Sequence, residues 1–136
     1  MQDLMKTNCY DVNDTMIIIG SCLERMQPKA YKELEKISSN IYDVCLEKDH
    51  LNMVITKLMG MISRVKLNKI IFATVDKSPH CVQLHYIIRE IEKAINLDSV
   101  KVLNYVAVDN TLVEIPSEVI SLSKNLSKLK EKIGKK

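Results

Sequence analysis

Glycine is scarce in this sequence, and its scarcity excludes the common nucleotide-binding loops. Gly20, Gly60 and Gly134 are the only glycines in 136 residues, and they fit neither a P-loop nor the G-x-G-x-x-G dinucleotide fingerprint. Tryptophan is absent, phenylalanine occurs once and arginine three times. Proteins that read nucleic acids rely on arginine forks and aromatic stacking. This composition therefore disfavours nucleic-acid binding.

Long apolar runs and closely paired cysteines are also missing. No apolar run approaches the roughly 20 residues that a membrane span requires, and no signal peptide is recognisable. The four cysteines, Cys9, Cys22, Cys45 and Cys81, include no C-x-x-C pair of the kind found in zinc knuckles and thioredoxins. We therefore expect a cytoplasmic protein with reduced thiols and no membrane segment.

The net charge of +3 is concentrated at the end of the chain. Residues 124–136 contain six lysines and one glutamate, so the remaining residues carry a small negative net charge. Apolar residues at helical spacing predict a lysine-rich amphipathic helix over residues 117–136. One hypothesis is a non-catalytic binding or assembly module, such as a homo-oligomer, that uses this basic helix as its contact surface.

Hydrophobic patterning predicts an α/β fold. Apolar runs typical of buried parallel strands alternate with helical patterns that begin near Pro28, Leu51, Pro79 and Pro116. The predicted strands are Thr15–Gly20, Ile41–Leu46, Ile70–Val75, Val100–Val108 and the edge strand Thr111–Ile115. We expect a three-layer sandwich with a mostly parallel sheet of about four to five strands and helices on both faces. Residues 1–136 are predicted to form a single domain, with residues 1–14 as an N-terminal extension.

Two loops follow the strongest predicted strands and carry most of the reactive side chains. Ligands of open α/β sheets bind beyond the carboxyl ends of the strands, where neighbouring crossovers run in opposite directions. Cys22 and Arg25 follow the first strand, and the turn 76–81 follows the third. If these two strands are neighbours, Cys22 and Cys81 face the same crevice.

The turn 76–81 contains the elements of a nucleophilic site. Ser78 is a predicted N-cap and Pro79 a first helical residue, which places Cys81 in the first turn of a helix. Free backbone N–H groups and the helix dipole stabilise a thiolate at such a position. Cys81 is therefore a candidate nucleophile, with His80 or His85 as its base and Asp76 to orient a histidine.

A metal site is the second hypothesis for the same residues. His85 lies four residues after Cys81 and would share its helical face. Cys22, Cys81 and either His80 or His85 could supply three zinc ligands and leave a position for water, as in a zinc-dependent lyase or hydrolase. A cysteine also packs as a small hydrophobic residue, and that interpretation stays open for Cys81, which lies near an apolar stripe.

The same turn could bind an anion. Lys77, Ser78 and the free N–H groups of the following helix suit a phosphate or a similar small molecule. Arg25 could clamp an anion from the first loop, or it could pair with Glu24 at the surface. A small-molecule or anionic ligand is therefore expected at this edge of the sheet.

The segment Met16–Ile95 resembles the β-class carbonic anhydrases. In that family a strand ends in a zinc-ligand cysteine, an acidic residue and an arginine follow, and a proline opens the next helix, as in the segment from Met16 to Pro28. A later strand of the family leads to a histidine and a cysteine at a helix start, as here at His80-Cys81. The resemblance implies that Cys22 and Cys81 are thiolate ligands of zinc. The ligand pattern is altered, because His80 and Cys81 adjoin where the family has a His-x-x-Cys pair.

Overall fold

The computed structural model describes residues 1–7 and 12–134, and these residues contain a sheet of six strands. In chain order they are β1 (Gln2–Asp3), β2 (Asp14–Gly20), β3 (Ile41–Val44), β4 (Leu67–Val75), β5 (Lys101–Val108) and β6 (Thr111–Glu114). The α-helices of the same residues are α1 (Leu23–Met26), α2 (Pro28–Ile37), α3 (Leu51–Arg64), α4 (Gln83–Ala94), α5 (Ser117–Ser123) and α6 (Leu126–Ile133). Cys9 lies outside the described residues.

The strand order is β1-β3-β2-β4-β5-β6, and the first five strands are parallel. Only β6 runs antiparallel, as the second strand of a hairpin with β5. This arrangement confirms the predicted α/β fold with a mostly parallel sheet. The sheet has one strand more than expected, because Gln2–Asp3 pairs with β3. Two residues are too short for a periodic signal, so the sequence predicted no strand within residues 1–14.

Two apolar layers cover the sheet, one on each face. On one face α3 and α4 pack against side chains such as Met16, Ile18 and Phe72. On the other face α1 and α2 pack against the alternate residues, such as Ile17, Ile19 and Ile71. Successive side chains of a strand point to opposite faces, so the continuous apolar runs of β2 and β4 supply both layers. Both strands are consequently held at the centre of the sheet.

A tight turn joins β5 to β6 and ties the hairpin to the other half of the chain. Asp109 and Asn110 both have positive φ, 51° and 62°, as the two central residues of a type I′ turn require. The Asn110 side-chain oxygen accepts a hydrogen bond from the Lys29 backbone N–H at 3.2 Å, and the Asn110 N–H donates to the Gln27 side chain at 2.6 Å. The hairpin is therefore fixed against the junction of α1 and α2.

The C-terminal segment forms two helices where the sequence predicts one. A break at Lys124 and Asn125 separates α5 from α6, and the Asn125 side chain caps α6 by accepting from the Lys128 N–H. Asparagine favours such a cap over a helix interior, which explains the break. Ile120 of α5 is buried, whereas α6 buries no residue.

The helix α4 begins later than predicted. The N-terminal residues of the expected helix, from Ser78 to Val82, form hydrogen-bonded turns, and the regular helix starts at Gln83. Of the helices described, none is both long and apolar enough to cross a membrane.

Candidate functional site

The strands β2 and β4 are neighbours, and the chain leaves them in opposite directions. From β2 it continues through α1 and α2 to β3 on one side, and from β4 it continues through α4 to β5 on the other. The two crossovers also cover opposite faces of the sheet. A crevice opens at such a switch point, and the two loops that the sequence singles out flank it.

The structure brings Cys22 and Cys81 into contact across this crevice. Their Sγ atoms lie 3.6 Å apart although the residues are 59 positions apart in sequence. Both side chains are partly exposed and neither is in a disulfide. At this distance one thiol can donate a hydrogen bond to the other sulfur. The expectation that the two thiols share one crevice is met.

Gly20 makes room for this contact. A Cβ atom at position 20 would lie 2.7 Å from the Cys81 Sγ, which is much closer than two such atoms can approach. Glycine is thus needed at the end of β2 because the Cys81 sulfur occupies the space that a side chain would fill.

A cleft of about 330 Å³ surrounds the two thiols. Five residues predicted for the site line it, namely Cys22, Arg25, Ser78, His80 and Cys81. Cys45 also lines the cleft, although the sequence analysis assigns it no function. A signal was present, since Cys45 follows β3 directly and β3 is the neighbour of β2.

The environment of Cys22 disfavours its thiolate. Burial raises the pKa of Cys22 to about 11, with further contributions from the hydrogen bond and charge of Cys81, while Arg25 opposes the shift. Cys22 therefore keeps its proton near neutral pH, and either sulfur can donate in the sulfur–sulfur contact.

The surroundings of Cys81 differ from those expected at a helix start. Cys81 lies in the turn two residues before α4, so a position in the first helical turn was wrong. The Ser78 hydroxyl accepts a hydrogen bond from the Cys81 backbone N–H at 3.3 Å. Lys77, which precedes Ser78, has a left-handed backbone conformation with φ of 70°. Ser78 thus caps the turn that presents Cys81, in place of capping a regular helix.

His85 does not reach the crevice, and its predicted role as a metal ligand or base beside Cys81 was wrong. Its side chain is buried where α4 covers β4 and β5, with Nε2 2.8 Å from the Thr74 hydroxyl and Nδ1 2.8 Å from the Asn104 side-chain oxygen. Because that oxygen can only accept, Nδ1 carries the proton and Nε2 accepts from Thr74. Burial lowers the pKa of His85. Its position on the inward stripe beside Leu84 and Ile88 was the signal for a core residue.

Asp76 and Lys77 also lie apart from the thiols. Both are exposed, and neither is among the described residues that line the cleft. The Asp76 backbone N–H donates to the Ala107 carbonyl at 3.2 Å, which continues the pairing of β4 with β5. His80 is thus the one histidine of the described chain that lines the cleft beside Cys81.

A complete metal-ligand set is not preformed. In the part of the chain that the structure describes, no group of three or more His, Cys, Asp or Glu side chains is arranged to hold a metal ion. The contact between the Cys22 and Cys81 sulfurs is the contact observed between two such side chains in the described cleft.

Comparison with known proteins identifies one family. The model of a family described as a Rossmann-like domain matches residues 11–136, which is most of the chain. No curated protein and no solved structure matches the chain.

Proposed function

We propose, from the premise that the chain belongs to the Rossmann-like domain family, that its switch-point crevice is a thiol-reactive site. The thiols of Cys22 and Cys81 are its reactive groups, and the reaction is reversible thiol–disulfide exchange. The observation that carries this proposal is the 3.6 Å separation of the two sulfurs. A disulfide bond is about 2.05 Å long, so a small approach of the two side chains is enough to close it.

The surroundings of the two thiols suggest an order of events. The raised pKa of Cys22 disfavours it as the first nucleophile, and His80 adjoins Cys81 in the cleft, so we assign the first attack to Cys81. The Cys81 thiolate attacks one sulfur of a low-molecular-weight disulfide, a mixed disulfide forms, and one thiolate leaves. The Cys22 thiol then loses its proton and attacks the Cys81 sulfur, and the second thiolate leaves with that proton. The protein thus gains one disulfide and the substrate is reduced to two thiols.

Three cleft residues support these steps. His80 lines the cleft beside Cys81 and is the nearby imidazole available to exchange protons with the thiols. Arg25 faces the same cleft and offers a cation to an anionic disulfide, which is the anion-binding role expected from the sequence. Ser78 holds the turn that carries Cys81. Asp76 and Lys77 have no part in this proposal, because they lie outside the cleft.

Zinc-dependent lyase or hydrolase chemistry is a finer function expected from the sequence. It requires at least three ligands and an open position for water, whereas thiol exchange requires the sulfur pair alone. Thiol exchange is therefore the function that the geometry supports best.

The test uses a Cys9→Ser background, so that the remaining thiols are those of the cleft. The reduced protein is mixed with oxidised glutathione, free thiols are blocked with an alkylating reagent, and cross-linked peptides are mapped by mass spectrometry. We expect a Cys22–Cys81 disulfide. Cys22→Ser should stall with a glutathione adduct on Cys81, and Cys45→Ser should behave like the parent. Stable adducts on the parent protein, without an internal disulfide, would contradict the proposal.

A second candidate function is assembly with a second copy of the chain through α6. Leu126 and Ile133 of this helix are 76% and 80% exposed, so the described chain leaves these two apolar side chains largely uncovered. The groove between α3 and α4, about 240 Å³ in volume, is lined mainly by apolar side chains and by Glu90. The apolar residues of α6 complement this groove in polarity, and its lysines can compete for the Glu90 carboxylate, which pairs with Lys93 at 2.8 Å.

Light scattering during gel filtration tests this candidate. The full chain should associate at low salt, and the association should weaken at high salt and vanish when residues 125–136 are removed. A full chain that stays monomeric at low salt and high protein concentration would rule it out. Cys22→Ser and Cys81→Ser are matched controls that should not alter the assembly.

A further inference from the structure

We infer that the same cleft is a soft-metal site in which Cys22, Cys45 and Cys81 supply three thiolate ligands and His80 the fourth. This inference goes beyond thiol exchange, because it adds Cys45 and assigns a zinc-class ion as ligand. It uses two of the same sulfurs, so metal binding and disulfide formation exclude one another at this site.

The spacing of the first two sulfurs suits a tetrahedral ion. With zinc–sulfur bonds of about 2.3 Å, two thiolates of a tetrahedral site lie about 3.8 Å apart. The Cys22 and Cys81 sulfurs are 3.6 Å apart. An ion could therefore bridge them from the side of the cleft with almost no change in their separation.

The sheet brings the third cysteine to the same place. Gly20 is paired with Val44 in the register of β2 and β3, and the Ser21 backbone N–H continues the pairing by donating to the Val44 carbonyl at 3.0 Å. Cys45 is the next residue, so it leaves β3 directly beside the loop that carries Cys22. Three neighbouring parallel strands thus each place one cysteine at their carboxyl ends.

Completion of the site requires Cys45 and His80 to move toward the sulfur pair. In the present positions no group of three ligands is assembled among the described residues. Cys45 is partly exposed and His80 is exposed, and both lie in loops that line the cleft. Such side chains change rotamer readily. Cys22 and Cys81 form the half of the site whose spacing already suits an ion, and Cys45 and His80 close on the ion.

The chemistry of the donors selects the ion. Thiolate and imidazole ligands favour zinc and related soft or borderline ions over magnesium or calcium, which take oxygen ligands. Three thiolates on a divalent ion leave one net negative charge, and the Arg25 guanidinium in the same cleft would offset it. The thiols must lose their protons to bind, so metal uptake should release protons.

Cobalt(II) titration of the reduced, metal-free protein tests the inference in the Cys9→Ser background. Thiolate ligation gives a sulfur-to-cobalt absorption band in the near ultraviolet, and zinc should displace the cobalt and abolish it. Loss of even an outer-shell partner weakens metal binding by about 10–100-fold. We therefore expect Cys45→Ser to weaken cobalt binding at least about tenfold and to lower the band. His80→Ala should weaken binding and shift the visible cobalt bands.

The outcomes separate this inference from the proposed thiol exchange. Cys45→Ser should still form the Cys22–Cys81 disulfide, whereas Cys22→Ser should lose both properties. A Cys45→Ser protein that binds cobalt with unchanged affinity and an unchanged band would overturn the role of Cys45. A parent protein without the sulfur-to-cobalt band would overturn the metal site and leave disulfide formation to be judged on its own. Circular dichroism of each variant confirms that it is folded.

Discussion

At the scale of single residues, Gly20 matters more to the geometry of the thiol pair than to the packing of the core. The atom that a Cβ at position 20 would meet is the Cys81 sulfur, at the free end of a short side chain. That sulfur can rotate away, so the backbone need not move. A substitution here should disturb the thiol pair much more than the core.

We predict that Gly20→Ala slows formation of the Cys22–Cys81 disulfide by up to about 100-fold, since misplacement of a reacting atom by about 1 Å can cost that much. The free energy of unfolding should change by less than about 1 kcal/mol, because alanine also restricts the unfolded chain. Alkylation kinetics and urea denaturation measure the two effects. Gly60→Ala, in α3 and outside the cleft, is the matched control. Equal exchange rates in both variants would show that Gly20 does not shape the site.

A second prediction concerns Thr74, whose hydroxyl contacts His85 in the core. Thr74→Val keeps the side-chain shape and leaves Nε2 of His85 buried without its donor. We expect a loss of about 1–3 kcal/mol in the free energy of unfolding, the usual cost of an unsatisfied buried polar group. Chemical denaturation measures this loss, and Thr111→Val at an exposed strand position should have little effect. A loss no larger than that of the control would contradict the assignment of this hydrogen bond.

A third prediction follows from the lowered pKa of His85. The folded protein binds a proton at this side chain less readily than the unfolded chain does, so the unfolded state gains protons first as the pH falls. Stability should therefore decrease as the pH drops below the unfolded value of about 6.5. Melting temperatures from pH 7.5 to 5 measure the slope. His85→Gln should flatten it, and an equal slope in that variant would assign the pH dependence to other groups.

At the scale of secondary structure, periodic segments were predictable and short or irregular ones were not. The strand β2, the helix α2 and the hairpin of β5 and β6 follow from apolar patterns and turn residues that agree with their surroundings. The two-residue strand β1 depends on pairing with β3. That pairing could not be predicted from the local sequence pattern. The late start of α4 depends on hydrogen bonds within the turn 78–82, which compete with a helix that Ser78 and Pro79 would otherwise begin.

The same limits apply to the candidate site. The rule for strand ends predicted that Cys22 and Cys81 would face one crevice if their strands were neighbours, and the pairing of β2 with β4 meets that condition. The direction of His85 could not be read from its spacing to Cys81, because the turn before α4 shifts the helical register. Cys45 was missed because the predicted strand ran to Leu46 and placed Cys45 inside it, whereas β3 ends at Val44. The rule that located the other two cysteines therefore applies to it as well.

The helix α6 provides a prediction at this scale. None of its residues is buried, so removal of residues 125–136 should change the free energy of unfolding by no more than about 0.5 kcal/mol. Ile120→Ala in α5 is the contrasting variant, because it removes a buried side chain and should cost about 2–5 kcal/mol. Urea denaturation of both proteins measures the difference. A large loss on truncation would mean that α6 packs against the domain in solution.

At the scale of the whole molecule, the thiol pair joins two segments that are remote in sequence. A Cys22–Cys81 disulfide would close a loop of about 59 residues. In the chain-entropy description such a loop stabilises a protein by up to about 4 kcal/mol, because it restricts the unfolded chain. The redox state of the crevice should therefore alter the stability of the entire domain.

We predict that the oxidised protein unfolds at a higher guanidinium concentration than the reduced protein, with a gain of about 2–4 kcal/mol. Denaturation curves in the Cys9→Ser background, with and without reductant, measure the gain. Cys22→Ser should show no dependence on reductant. An oxidised parent protein of equal or lower stability would indicate that the closed bond strains the native crevice.

The parallel pairing of β2 with β4 has a consequence for the order in which the chain folds. Contacts between residues close in sequence cannot bring together the loops that carry Cys22 and Cys81, since α2, β3 and α3 lie between them in the chain. They approach only when two distant strands have registered side by side at the centre of the sheet. The two sulfurs can be cross-linked with a short bifunctional reagent at successive times after dilution from denaturant. The yield of cross-linked protein would then measure the rate of the slowest, long-range step of folding.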